Sequence, residues 1–139
     1  MGCEVTAISS SSDKKSQVQA WGADHFIDSS EPRNLRQSDY AFDLALCTAS
    51  GGVNWESLLM ILKKQGRLVL LGFPEVALNP TDLVAHELSV TGSFLGNRST
   101  MREMLRFAQE KSIAPELEIM PMSGTVSYTH LTLPTNREV

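Results

Sequence analysis

Residues 3–15 read Cys-Glu-Val-Thr-Ala-Ile-Ser-Ser-Ser-Ser-Asp-Lys-Lys. The β-branched residues Val5, Thr6 and Ile8 predict a strand over 4–8. Four hydroxyls follow at once, and a helix is expected over 13–21. Ser11 or Ser12 suits its N-cap, Asp13 suits the positive end of the helix, and Gly22 suits its stop. A strand that runs through hydroxyls into a helix start is one unit of a parallel α/β sheet.

The unit repeats outward along the chain. A short strand is expected over 25–28, then a polar stretch with a weak helical turn after Pro32. The run over 42–47 is nearly unbroken apolar sequence and predicts a strand buried on both faces. Gly51-Gly52 marks a turn. Trp55, Leu58, Leu59 and Leu62 share one helix face, so a helix is expected over 53–64, ended by Gly66. A strand over 67–71 follows, then a helix over 81–86 starting at Thr81 or Asp82, and a strand over 88–94. Ser99 or Thr100 should cap a helix reaching about Lys111, with Met101, Met104, Leu105 and Ala108 on one stripe. A last short strand is expected over 117–120. Strands alternating with helices require right-handed crossovers, so the expected fold class is α/β, an incomplete doubly wound parallel sheet.

Ligands of such sheets sit beyond the carboxyl ends of the strands. Where the ligand is a dinucleotide, the end of the second strand meets the adenosine ribose. A carboxylate there takes the free 2′-hydroxyl of NAD, and a cation with donors takes the 2′-phosphate of NADP. Ser9, Ser10, Ser11 and Lys14 stand at that junction, with no carboxylate between the strand and Asp13. Hydroxyls and backbone N–H groups supply donors to a phosphate, and lysine supplies a mobile charge. The plain alternative is a serine-rich loop with one cap and a solvated lysine. Thr48, after the third strand, either faces the cofactor or is a strand-end hydroxyl satisfied by backbone. Met1-Gly2 leads straight into the strand read over 4–8, with no Gly-x-Gly-x-x-Gly turn ahead of it, so the first strand, that turn and the first helix of such a domain are expected to be missing.

Composition narrows the classes. The 139 residues, 42% hydrophobic and 20% charged, suit one globular domain rather than a disordered chain. A net charge of −4 gives no footprint for nucleic acid, and no apolar run reaches the roughly 20 residues of a membrane span. With no signal-peptide pattern, a cytoplasmic setting is expected, with Cys3 and Cys47 as small apolar fillers. His25, His86 and His130 make no zinc-ligand spacing with the cysteines. His25 reads as a strand-end surface residue, His86 as a helix C-terminal cation, and Arg98 as a surface residue. Trp55, Met60, Met101 and Met104 read as core or subunit interface. Residues 126–139 break the pattern, and 126–135 match the in-frame translation of a transposon-end sequencing adapter. They are expected to be non-native, leaving residues 1–125 as a partial dinucleotide-binding domain.

Five segments carry a resemblance. Glu4-Val-Thr-Ala-Ile-Ser-Ser, Trp21-Gly-Ala-Asp-His-Phe-Ile-Asp-Ser, Phe42-Asp-Leu-Ala-Leu-Cys-Thr, Gly66-Arg-Leu-Val-Leu-Leu-Gly and Thr91-Gly-Ser-Phe-Leu-Gly occur in order. Together they resemble the cofactor-binding (Rossmann) domain of zinc-dependent medium-chain alcohol dehydrogenases, in the branch of cinnamyl-alcohol-dehydrogenase-like NADP-dependent aldehyde reductases. The resemblance covers about residues 2–123. It implies hydride transfer between NADP(H) and an alcohol or aldehyde held on zinc, which acts as a Lewis acid. It also implies that the backbone of Leu71, Gly72 and Phe73 faces the nicotinamide and its carboxamide, that Ser93 to Leu95 match the backbone segment holding the carboxamide, and that a homodimer can join through the strand at 88–94. The family's zinc ligands and proton relay have no counterpart in this sequence, so the chain alone is not expected to catalyse the reaction. A non-catalytic nucleotide-binding module is the second hypothesis. A methyltransferase-like domain is disfavoured, because it would place an acid after the second strand where Ser9 to Ser12 stand.

Overall fold

The computed structural model describes residues 2–117, 119 and 121–124. The chain divides into two compact units, one ending at Leu95 and one starting at Gly96.

The first unit holds two parallel sheets. Strand β1 (Thr6–Ser9) pairs with β2 (His25–Asp28), with Thr6 opposite His25 and Ser9 opposite Asp28. Strands β3 (Phe42–Cys47), β4 (Leu62–Leu70) and β5 (Ser89–Gly92) form the second sheet in that order. Each strand is followed by a helix: α1 (Lys15–Ala20) after β1, α2 (Pro32–Arg36) after β2, α3 (Trp55–Met60) after β3 and α4 (Pro80–Ala85) after β4. α2 packs against α3. Gly22, at φ 100°, ends the first helix as expected, because a residue with a side chain is strained there.

The core lies on the α3 side of the three-stranded sheet. Cys47, Trp55, Leu59, Leu62 and Leu68 are buried together there, with Ala45, Val90 and Leu83 packed against them. The Trp55 indole N–H donates to the Glu75 carbonyl at 3.1 Å, so a large apolar ring is buried without an orphaned donor. Leu44 and Leu46, 52% and 61% exposed, correct the expectation that 42–47 is covered on both faces. Successive strand side chains alternate between faces, so Ala45 and Cys47 meet the core while Leu44 and Leu46 point away from it. Cys3 is likewise exposed rather than buried, lying ahead of Thr6, where strand pairing starts.

The helix expected over 53–64 stops at Met60, and β4 starts at Leu62. The chain before β3 captures the helix's last carbonyls: Tyr40 N–H donates to Met60 O, and Ala41 and Phe42 N–H to Ile61 O, at 2.9–3.0 Å. Tertiary hydrogen bonds thus replace the continuation of the helix. Gln65, at φ 64°, and Gly66 both lie within β4, at the register shift between the Phe42–Leu62 and Leu44–Arg67 pairs, so Gly66 ends no helix. Gln65 is fastened on both sides: its amide N–H donates to the His86 carbonyl, and its side chain to Glu87. Hydrogen bonds from Lys64 and Gln65, with the Lys64 charge, hold the exposed Glu87 carboxyl below its ordinary range.

The caps also differ from expectation. Asn79 starts α4, accepting from Thr81 N–H, in place of Thr81 or Asp82. In the second unit, Asn97 starts α5 (Arg98–Glu110), its Oδ1 accepting from the Ser99 and Thr100 amides at 2.9 and 3.0 Å. Ser99 and Thr100 sit inside the first turn, where their amides need an acceptor. Asn97→Ala is expected to destabilise α5 by about 1 kcal/mol. Amide exchange should accelerate roughly fivefold across α5 and stay unchanged in β4, and equal protection in both proteins would refute this role.

Met101, Met104 and Leu105 are exposed on α5 and so are not core of the described residues. The strand expected over 117–120 is absent at Leu117 and Ile119, which have no regular structure, and its other two residues lie outside the described set. The suspected adapter residues 126–139 also lie outside it.

Candidate functional site

The carboxyl ends of β1 and β2 form the first cluster. Ser29 N–H donates to the Ser9 carbonyl at 2.8 Å, closing the pair. Each strand then ends in a turn held by its own side chain. Ser11 N–H donates to Ser9 Oγ at 3.3 Å, and Ser30 N–H donates to Asp28 Oδ1 at 2.9 Å. Short polar side chains favour such turns because they offer the backbone an acceptor two residues on. Ser11 stands at the start of a 3-10 turn (Ser12–Lys14) that precedes α1, but its side chain makes no capping bond, contrary to the simplest expectation. Ser10 and Lys14 are exposed, and Ser9 and Ser11 half-buried. Lys14 closes the turn, its amide donating to Ser11 O at 3.4 Å.

Asp28 is the residue that sequence reasoning passed over. It lies 19 residues beyond Ser9 in the chain, yet the parallel register sets the two side by side. Hydrogen bonds from Ser30 hold its carboxyl below the ordinary range, so it is ionised at neutral pH. Only the strand register could reveal this neighbour.

The second cluster lies at the ends of β3, β4 and β5. Cys47, Leu70 and Gly92 are register partners across the sheet, so Thr48, Leu71 and Ser93 follow one another along its carboxyl edge. Leu71 N–H donates to the Cys47 carbonyl and Ser93 N–H to the Leu70 carbonyl, both at 2.9 Å. Gly72 fits closely. A Cβ there would lie 2.5 Å from the Ala49 carbonyl oxygen, so the missing side chain lets two strand-end loops touch. Beyond it, the Phe73 and Phe94 rings meet edge-on, centroids 6.3 Å apart. Both remain largely open, at 84% and 78% exposed, and Leu95 beside them is exposed as well. Phe94 follows β5 inside the Ser93–Leu95 segment that the resemblance singled out, and its contact with the Phe73 ring follows only from the fold.

The remaining candidates serve structure. His25, exposed at a strand start, bonds Glu4 at 2.6 Å, and His86 stands at the end of α4 with its ring 5.2 Å from that of Tyr40. Arg98 is exposed, as expected. A cavity of about 270 Å³ lined by Trp55, Glu56, Leu59, Ala77, Asn79 and Asp82 includes none of the candidate residues. Among the described residues, no helix is long and apolar enough to cross a membrane.

Parallel strands joined by helices, with polar groups and bare backbone gathered at strand ends, define an α/β domain of the Rossmann type. Residues 1–110 match the family model for zinc-binding dehydrogenases, and the chain belongs to that family. It is 33% identical over 126 residues to a probable cinnamyl alcohol dehydrogenase 1 of Nicotiana tabacum, covering 88% of this chain and 35% of that protein. It is 34% identical over 122 residues to an NADP-dependent alcohol dehydrogenase C 1 of Mycolicibacterium smegmatis, covering 86% and 35%. A solved cinnamyl alcohol dehydrogenase of Sorghum bicolor superposes with a TM-score of 0.88 at 28% identity, covering 97% of this chain and 39% of that one. The chain thus spans about a third of the length of the curated relatives it matches.

The family name implies zinc. Among the described residues, no three His, Cys, Asp or Glu side chains come together in a group that could hold a metal ion. The described residues therefore do not fit zinc.

Proposed function

We propose that residues 1–125 form part of the cofactor site of an oxidoreductase that moves a hydride between NADP(H) and an alcohol or aldehyde. The carrying observation is the polar run Ser9, Ser10, Ser11 and Lys14 at the carboxyl end of β1, directly ahead of α1. A 2′-phosphate bears close to two negative charges, which suits hydroxyl donors and an ammonium and is repelled by a carboxylate. The Mycolicibacterium relative, named as NADP-dependent, supports the same reading.

In this reading Lys14 neutralises the phosphate and the serines donate to it. Thr48, Leu71, Gly72, Phe73, Ser93 and Leu95 line the opposite end of the cofactor, with the tight Gly72 contact fixing the height of the strand-end loops. Bound there, NADP(H) would supply the hydride, while these residues would orient the ring and shield it from water. The substrate would be a small alcohol or aldehyde bound through groups outside this site.

Ser9→Asp is the direct test, in the full-length protein carrying this sequence. The carboxylate repels a phosphate and accepts from a free hydroxyl, so NADPH should weaken at least tenfold while NADH holds or improves. Fluorescence titration with both nucleotides reads the ratio. Equal responses would remove the assignment of Ser9–Lys14 to the phosphate and favour a module that binds nucleotides without this discrimination.

A further inference from the structure

Two strand ends, not one, meet at the candidate phosphate site. Ser9 and Asp28 are Cα partners in a parallel ladder, and such partners carry their side chains on the same face, about 4.8 Å apart along the hydrogen-bonding direction. The side chains do the same local work, each accepting from the amide two residues on. They differ in charge. Behind Asp28, the Asn34 side chain donates to its carbonyl at 2.9 Å, so the acid sits in a braced turn rather than on a free tip.

We propose that Asp28 is a specificity-determining residue, a fixed negative charge beside the Ser9–Ser11 turn that opposes a 2′-phosphate and tolerates a free 2′-hydroxyl. The inference rests on the NADP reading of Ser9–Lys14. It makes the site a balance: Lys14 draws the phosphate in, and Asp28 limits how strongly NADP is preferred over NAD. An Asp-to-Asn change isolates the charge, because the amide oxygen still accepts from Ser30 N–H and the turn is kept. A like charge about one strand spacing away, in a half-exposed setting, corresponds to roughly a five- to tenfold effect on affinity.

The test compares Asp28→Asn with the wild type in the full-length protein, titrating NADPH and NADH at low and at high salt, with Lys14→Ala measured alongside. The expected result is NADPH five- to tenfold tighter in Asp28→Asn, NADH within twofold, and the difference shrinking as salt screens it. An unchanged NADPH affinity in Asp28→Asn, with Lys14→Ala still weakening NADPH selectively, overturns the role of Asp28 and leaves the NADP reading intact. Equal shifts for both nucleotides also overturn it, since Asp28 would then act only through the turn. If Lys14→Ala shows no nucleotide selectivity, the NADP reading falls and this inference falls with it.

Discussion

Replacing Lys14 by alanine is expected to weaken NADPH binding by roughly 10- to 100-fold and NADH binding by less than twofold. The lysine stands at the end of the 3-10 turn that joins β1 to α1, with an exposed side chain and its backbone fixed by the bond to Ser11 O. A charge-assisted hydrogen bond contributes about 1.5–3 kcal/mol, and each 1.4 kcal/mol is tenfold in affinity. NADH lacks the phosphate, so it loses only weak long-range attraction, which salt screens. Lys14→Arg should retain most of the affinity, because the charge and donors survive. Calorimetric titration of the full-length protein with both nucleotides separates these cases, and a parallel loss for NADPH and NADH would sink the assignment.

Leu68→Ala is expected to destabilise the domain by about 3 kcal/mol, and Leu68→Met by less than about 1.5 kcal/mol. Leu68 is 0% exposed and central in β4, with Ala45 and Val90 as its register partners. Its side chain belongs to the cluster of Cys47, Trp55, Leu59 and Leu62. Alanine would remove the packing of three heavy atoms and leave a cavity that β3, β5 and α3 cannot close without breaking ladder bonds. Against a typical total of about 5–15 kcal/mol, that is a large share. Urea unfolding should show a lower midpoint with an unchanged slope. A loss under about 1 kcal/mol would mean that the core is not where the structure puts it.

Much of this architecture was legible before folding was considered. β2 and β3 begin and end at the residues expected from β-branched and apolar runs, and Gly22 stops the first helix. Most of the misses share one cause: they depended on a partner distant in sequence. The helix at 53–64 looked continuous because Leu62 continues the apolar stripe, and only the backbone of Tyr40–Phe42 pulls that residue into β4. Leu44 and Leu46 are as apolar as core residues, and their exposure follows from which face α3 covers. The asparagine caps were the exception, since Asn79 and Asn97 were visible locally but lost to nearby hydroxyls of similar propensity.

The sequence by itself determined the alternation of strands and helices, and it placed four serines and a lysine where β1 turns into α1. Those features are local, set by side-chain shape and by donors a few residues apart. Tertiary structure alone decided which residues became neighbours: Asp28 beside Ser9, Phe94 against Phe73, and Ala49 against Gly72. Strand register and the meeting of separate loops create those contacts, and neither can be computed from spacing along the chain.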